Sequence, residues 1–292
     1  MSNVLVIGGG SIAEKHIFNL IKLKYVVYSF TSNKNFLKDN KDIKKLIKLA
    51  IKPRLRKESK SFVVEGKREL EMAFSNGYLI KKIYCNPNIV DPKAIKSKYD
   101  SEIIEVNNDI YSKISFRSST EGMVGVVFQK NNNLKLDDCK NKLAIVLDGI
   151  EKPGNIGAIL RSCDSADVDL IILNNEKCDL YNPNLIRSSL GSIFSLNVVS
   201  MESDDTLDFL REHKFKIYAT SLKSKNSLEK IKFGNSSAIV LGSESSGISK
   251  FWLDKSDELI KIPMLGIVDS LNVSVSAAIT LYEVNRQNNF KR

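Results

Sequence analysis

Two apolar strands separated by a loop and a helix can be read directly from Ile145–Leu173, IVLDGIEKPGNIGAILRSCDSADVDLIIL. A run such as Ile145–Leu147 or Leu170–Leu173 has no polar alternation, so both faces of each strand must be covered. The Pro-Gly-Asn turn and the helix around Ala158–Ser165 supply the crossover between them. That arrangement commits this part of the chain to a mostly parallel sheet with helices on its faces.

The same rhythm runs through the C-terminal half. Strands are expected at 143–148, 169–173, 195–199, 216–220, 238–241 and 259–262, and helices at 155–166, 184–188 and 206–213. The chain closes with IPMLGIVDSLNVSVSAAITLYEV (Ile262–Val284), a Pro/Gly loop that passes through Ser270-Leu271-Asn272-Val273-Ser274 into a helix. Oxygens of Ser270, Asn272 and Ser274 would either cap free N–H groups of that helix or line a ligand site. Between these elements Ala238–Ser249, AIVLGSESSGIS, is a buried strand entering a Gly/Ser loop with one carboxylate, Glu244.

Composition removes several classes. Four cysteines (Cys85, Cys139, Cys163, Cys178) lack CxxC spacing, and His16 and His213 are the only histidines, so neither a metal site nor a disulfide framework is expected. A serine triad cannot be assembled from them, and acid–base chemistry must rest on other groups. No run is long enough to span a bilayer and no basic leader precedes one, which points to a cytoplasmic protein. The net charge of +10 is concentrated: residues 36–70 carry twelve Lys/Arg against five Asp/Glu, whereas 144–292 carry seventeen against nineteen. A basic module for a polyanion beside a nearly neutral second half fits that asymmetry, as does a solvated helix face.

Three motifs occur in order: Asn155-x-Gly157-Ala158 with Arg161; Leu241-Gly242-x-Glu244-x-x-Gly247-x-Ser249; and Ile262-Pro263-Met264 with Ser270-Leu271-Asn272-Val273-Ser274. Together, over residues 143–285, they resemble the SpoU/TrmH family of RNA 2′-O-ribose methyltransferases, of the knotted SPOUT class. The resemblance implies an α/β fold whose C-terminal part is a trefoil-knotted, mostly parallel sheet, with S-adenosylmethionine as methyl donor. It implies Arg161, Asn155, Glu244, Ser270 and Asn272 as catalytic residues. Cofactor contacts are implied at Thr220, Leu241, Gly242, Ile262, Met264 and Leu271, and a homodimer is implied as well. Arginine stays protonated in proteins, so Arg161 would clamp an RNA phosphate and stabilise a developing alkoxide rather than act as a base.

Upstream, strands at 61–66, 80–85, 103–106 and 122–128 alternate with helices at 67–75, 91–99 and 107–114. That gives a small three-layer domain, resembling the ribosomal-protein-like substrate-binding module of the same family. A further helix starts at Ile43 and is interrupted at Pro53. Guanidinium groups pair with phosphate and stack on bases, which makes Arg54, Arg56 and Arg68 the RNA-binding candidates. Four divisions follow: a fragment at 1–35, a substrate-binding domain at 36–128, a linker at 129–142 and the methyltransferase domain at 143–292. The fragment opens VLVIGGGSIA, similar to a Rossmann oxidoreductase, but Tyr25–Phe30 carries no acid for a ribose and no complete βαβ domain follows. Ribosomal RNA is the expected substrate. A transfer RNA, or a non-catalytic RNA-binding role on the same fold, is the alternative.

Overall fold

The computed structural model describes residues 3–7, 26–30, 41–116, 121–130 and 142–290, the first two segments by their backbone alone. β1 (Asn3–Ile7) and β2 (Val26–Phe30) pair in parallel, as a βαβ-like fragment requires. The glycine run Gly8–Gly10, the polar stretch Lys34–Asn40 and residues 131–141 of the expected linker lie outside the described residues.

A four-stranded unit follows. Its elements are α1 (Lys41–Ile51), α2 (Pro53–Ser59), β3 (Ser61–Glu65), α3 (Lys67–Ser75), β4 (Ile80–Cys85), α4 (Pro92–Lys98), β5 (Glu102–Glu105), α5 (Asn108–Ile114) and β6 (Met123–Phe128). The strand order is β3-β6-β4-β5, with β6 antiparallel to both β3 and β4 and β5 parallel to β4. α1 buries Ile43, Leu46, Leu49 and Ala50 against Val63, Tyr84 and Val124 on one face. Phe62, Val64 and Ile83 point the other way, toward Leu70 and Ala73 of α3 and Ile95 of α4. Pro53 interrupts the helix, as the sequence indicates, yet a second helix restarts on it. Proline at the first helical position has no N–H to leave unsatisfied.

The C-terminal unit contains β7 (Leu143–Asp148), α6 (Pro153–Ser165), β8 (Leu170–Asn174), α7 (Pro183–Ser188), β9 (Val198–Ser200), α8 (Ser203–Glu212), β10 (Lys216–Thr220), β11 (Ser237–Gly242), α9 (Lys250–Lys255), β12 (Glu258–Ile260) and α10 (Val273–Gln287). Its six strands, in the order β12-β10-β11-β7-β8-β9, are all parallel. Alternate residues divide the core between the faces. Ala144, Val146, Ile172 and Val240 meet Leu210 of α8 and Trp252 of α9, while Ile145, Leu147, Ile171 and Ile239 meet Ile159 of α6 and Leu281 of α10.

Differences from the sequence reading are local. α9 leaves no mark in the sequence pattern, because Lys250–Lys255 is too short for a helical period to register. Residues 192–194 form a 3₁₀ turn, which delays the strand expected from Ser195 until Val198.

Candidate active site

Each of the three motifs has residues at the C-terminal edge of the parallel sheet, where open α/β folds collect their ligands. β7 leads to a loop in which a Lys177 bond at 2.8 Å holds Glu151 below the usual carboxylate range. α6 then starts on Pro153 and places Asn155 in its first turn. β11 leads into a hairpin closed by two backbone bonds between Ser243 and Gly247, at 3.0 and 2.9 Å, which presents Glu244 to solvent. The long loop after β12 reaches Asn272, whose side-chain oxygen accepts from Ser274 N at 2.9 Å and so caps α10.

Asn155 joins the three. Its amide nitrogen donates to Glu244 Oε1, and its oxygen accepts from Asn272 Nδ2 at 3.3 Å. Groups that are 89 and 117 residues apart in sequence from Asn155 therefore form one polar cluster. The other two expected catalytic residues lie apart from it. Ser270 is exposed and donates only to the neighbouring Asp269, at 3.1 Å. Arg161 is also exposed. It lies six residues beyond Asn155, so about 9 Å along α6 and roughly 120° around it. Among the described residues nothing pairs with its guanidinium.

Thr220, Leu241 and Gly242 end the adjacent strands β10 and β11, and Ile262 follows β12 on the far side of β10. Thr220 Oγ1 donates to Val240 O at 3.1 Å. Ile262 and Met264 are half-buried and Leu271 is exposed. Among the described residues no hydrogen bond engages the main chain of Ile262–Leu271. A Cβ on Gly242 would lie 2.2 Å from Gly247 C and from Ile248 N. The close approach that this glycine permits is thus made by its own hairpin.

Asp148 belongs to none of the three motifs. It is buried at the end of β7, and its two oxygens accept from Asn175 Nδ2 at 2.7 Å and Ser249 N at 2.8 Å, which ties the Glu244 hairpin to the central strand. A carboxylate that ends an otherwise wholly apolar strand is the signal that could have found it. Asn174, equally buried, accepts from Trp252 Nε1 at 3.1 Å and anchors α9 in the same way.

Of the RNA-binding candidates, Arg54 is exposed and pairs with Glu58 at 2.7 Å, and Arg68 is exposed. Arg56 requires a correction. Its side chain is 1% exposed, with Nε 2.5 Å from Asp179 Oδ2 and Nη1 2.7 Å from the carbonyls of both Leu49 and Ala50, so burial puts it out of reach of a phosphate. Position in a basic run could not show which of its arginines folds inward.

A model of the SpoU rRNA Methylase family matches residues 142–282, and one of the MRM3-like substrate binding domain matches residues 40–125. A tRNA/rRNA methyltransferase of Borreliella burgdorferi, itself uncharacterised, is 31% identical over 219 residues, covering 70% of this chain and 96% of that protein. The chain belongs to the SpoU rRNA methylase family. Another relative within it is RlmP of Bacillus subtilis, a 23S rRNA guanosine 2′-O-methyltransferase, 26% identical over 78% of this chain and 90% of its own length. Among solved structures, an AdoMet-bound rRNA methyltransferase from Sinorhizobium meliloti superposes with a TM-score of 0.76 at 26% identity, over 85% of this chain and 95% of that one. In this SpoU family member the Asn155 cluster and the rim beside it lie where the three sequence motifs of the chain meet.

Proposed function

We propose that this protein transfers a methyl group to a ribose 2′-hydroxyl of structured RNA, with ribosomal RNA as the substrate. The observation that carries the reading is the hydrogen-bonded cluster of Asn155, Glu244 and Asn272, assembled from three separate motifs at the sheet edge of a SpoU family member. Ribosomal RNA is supported by RlmP, which acts on 23S rRNA.

The methyl donor is S-adenosylmethionine, which when bound supplies an electrophilic methyl group. The residues present fit it. The rim offers unengaged main-chain donors and acceptors over Ile262–Leu271, with apolar Ile262, Met264 and Leu271 available to enclose an aromatic base. In this reading Leu241, Gly242 and Thr220 form the opposite wall.

A 2′-hydroxyl attacks only as its proton leaves, in this reading to an oxygen of the RNA phosphate, so the site must stabilise a developing alkoxide. Arg161 carries a permanent charge with no internal partner among the described residues. It clamps the RNA phosphate and offsets the developing negative charge. Glu244 fixes the Asn155 amide, Asn155 and Asn272 orient the ribose, and Ser270, in the same polar run as Asn272, supplies a further hydroxyl beside it. Arg54 and Arg68 hold RNA on the four-stranded unit, which serves as the substrate-binding domain at 36–128, ahead of a linker at 129–142 and the methyltransferase domain at 143–292. The knot belongs to the same reading: the chain passes from β11 to the far edge strand β12 and then returns to pack α10 against α6. So does a homodimer, supported by Val275, Ile279 and Tyr282, exposed apolar residues along one face of α10.

Methyl transfer from labelled S-adenosylmethionine to total cellular RNA, followed by nucleoside analysis, tests the proposal. Label is expected in a 2′-O-methyl nucleoside with the wild type and is expected to be lost with Arg161→Ala. Label in a base instead of the ribose would refute the reaction. Arg161→Lys keeps the charge but not the fork, and turnover near wild type would refute the bidentate clamp.

A further inference from the structure

The seam between the two sheets is continuous core. Phe62 of the four-stranded unit stacks on Tyr181 with ring centroids 4.3 Å apart, and Tyr78 meets Phe194 edge-on at 5.0 Å. Gly191, at φ +83°, brings its backbone so close to α3 that a Cβ would lie 3.1 Å from Met72 Cβ. Apolar faces of this kind hold two bodies together without fixing their register, because dispersion contacts have little directionality.

Arg56 supplies the direction. One buried guanidinium binds the last carbonyls of α1, Leu49 O and Ala50 O, and also Asp179 in the segment that follows β8. Asp179 is itself fixed, because its other oxygen accepts from Tyr181 N at 2.9 Å. The backbone carbonyl of Arg56 accepts from Gln129 Nε2 at 3.1 Å, which adds the end of the β6 region to the same node. Replacing such an ion pair by apolar groups often costs no stability, whereas its directed bonds can fix one arrangement of the elements that it joins. The opposite face of α1 carries the exposed lysines Lys41, Lys45 and Lys48.

We infer that Arg56 is a positioning residue for methyl transfer. Its bonds to α1 and Asp179 fix the angle between the RNA-holding unit and the Asn155 cluster, and so select which ribose reaches the site. The inference rests on the methyltransferase reading above.

The test uses the full chain with Arg56→Met, Arg56→Lys and Asp179→Asn beside wild type. Thermal melting, S-adenosylmethionine affinity by calorimetry, RNA KM and kcat, and the mapped position of the methyl group are read for each. Arg56→Met is expected to raise RNA KM by about tenfold or more, as small misplacements of a substrate do, or to spread methylation to neighbouring nucleotides. Cofactor affinity should stay within about twofold, since Arg56 lies away from the rim. Arg56→Lys, with charge but no fork, should fall between. Asp179→Asn, which can still accept from Tyr181 N, carries the test if Arg56→Met fails to fold. Unchanged KM and unchanged position, with only a smaller folded fraction, would show a merely structural role and overturn the inference. A wild type that methylates no RNA would instead overturn the methyltransferase reading, and the inference with it.

Discussion

Gly242→Ala isolates the geometry on which the site depends. A Cβ there would lie 2.2 Å from Gly247 C and Ile248 N and 2.3 Å from Gly247 O, all of them backbone atoms that no rotamer change can move. Ordinary contact needs at least ~3.4 Å, so the Ser243–Ser249 hairpin must retreat by about 1 Å or more. That hairpin carries Glu244, bonded to Asn155, and Ser249, whose N–H is bonded to Asp148 at 2.8 Å. Overpacking costs about 1–3 kcal/mol, and each of the two bonds, if lost, about 1 kcal/mol more. The sum is roughly 3–5 kcal/mol, which for a protein of this size lowers Tm by about 6–20 °C. The variant should remain folded by circular dichroism while its S-adenosylmethionine affinity, measured by calorimetry, falls at least about tenfold, because each 1.4 kcal/mol is a decade. Gly247→Ala is the control. Gly247 has φ +68° but nothing within 4 Å of a built Cβ, so only the cost of a left-handed residue, about 1–2 kcal/mol, applies. Gly242→Ala with an unchanged melt and cofactor affinity would refute the reasoning, as would Gly247→Ala proving the more damaging of the two.

Two further outcomes follow from burial. Burial, reinforced by Glu105, pushes the Cys85 thiol up to about 11, and burial with Asp179 and Glu176 does the same for Cys178. Folded thiols thus keep their protons where unfolded ones, at about 8.5, lose them. Stability from this source is intact below about pH 8.5 and is lost as pH rises toward 11. The alkaline decline of Tm should be shallower in Cys85→Ala/Cys178→Ala than in wild type; an identical alkaline slope would exclude these two thiols as contributors. On α10, Val275, Ile279 and Tyr282 recur at helical spacing while exposed by 44%, 38% and 46%. Sedimentation equilibrium should give twice the chain mass for wild type and the chain mass for Ile279→Lys, and a monomeric wild type would remove the dimer.

The sequence determined the alternation of elements, because both informative patterns are local. Wholly apolar runs such as Leu143–Leu147 specify strands buried on two faces, and proline and Gly/Ser loops punctuate them. Asn155, Glu244 and Asn272 were legible as candidates through the family resemblance that their motifs carry. Tertiary structure decided what those residues touch. Only the strand order β12-β10-β11-β7 brings Asn155, Glu244 and Asn272 into one hydrogen-bonded cluster. It also decided the fate of a charge. Arg54 and Arg56 are two residues apart in one basic run, yet the helix turns one outward and the other into a seam where Leu49, Ala50 and Asp179 await its donors. Burial depends on what the other face of a helix packs against, and that partner is more than a hundred residues away in the chain.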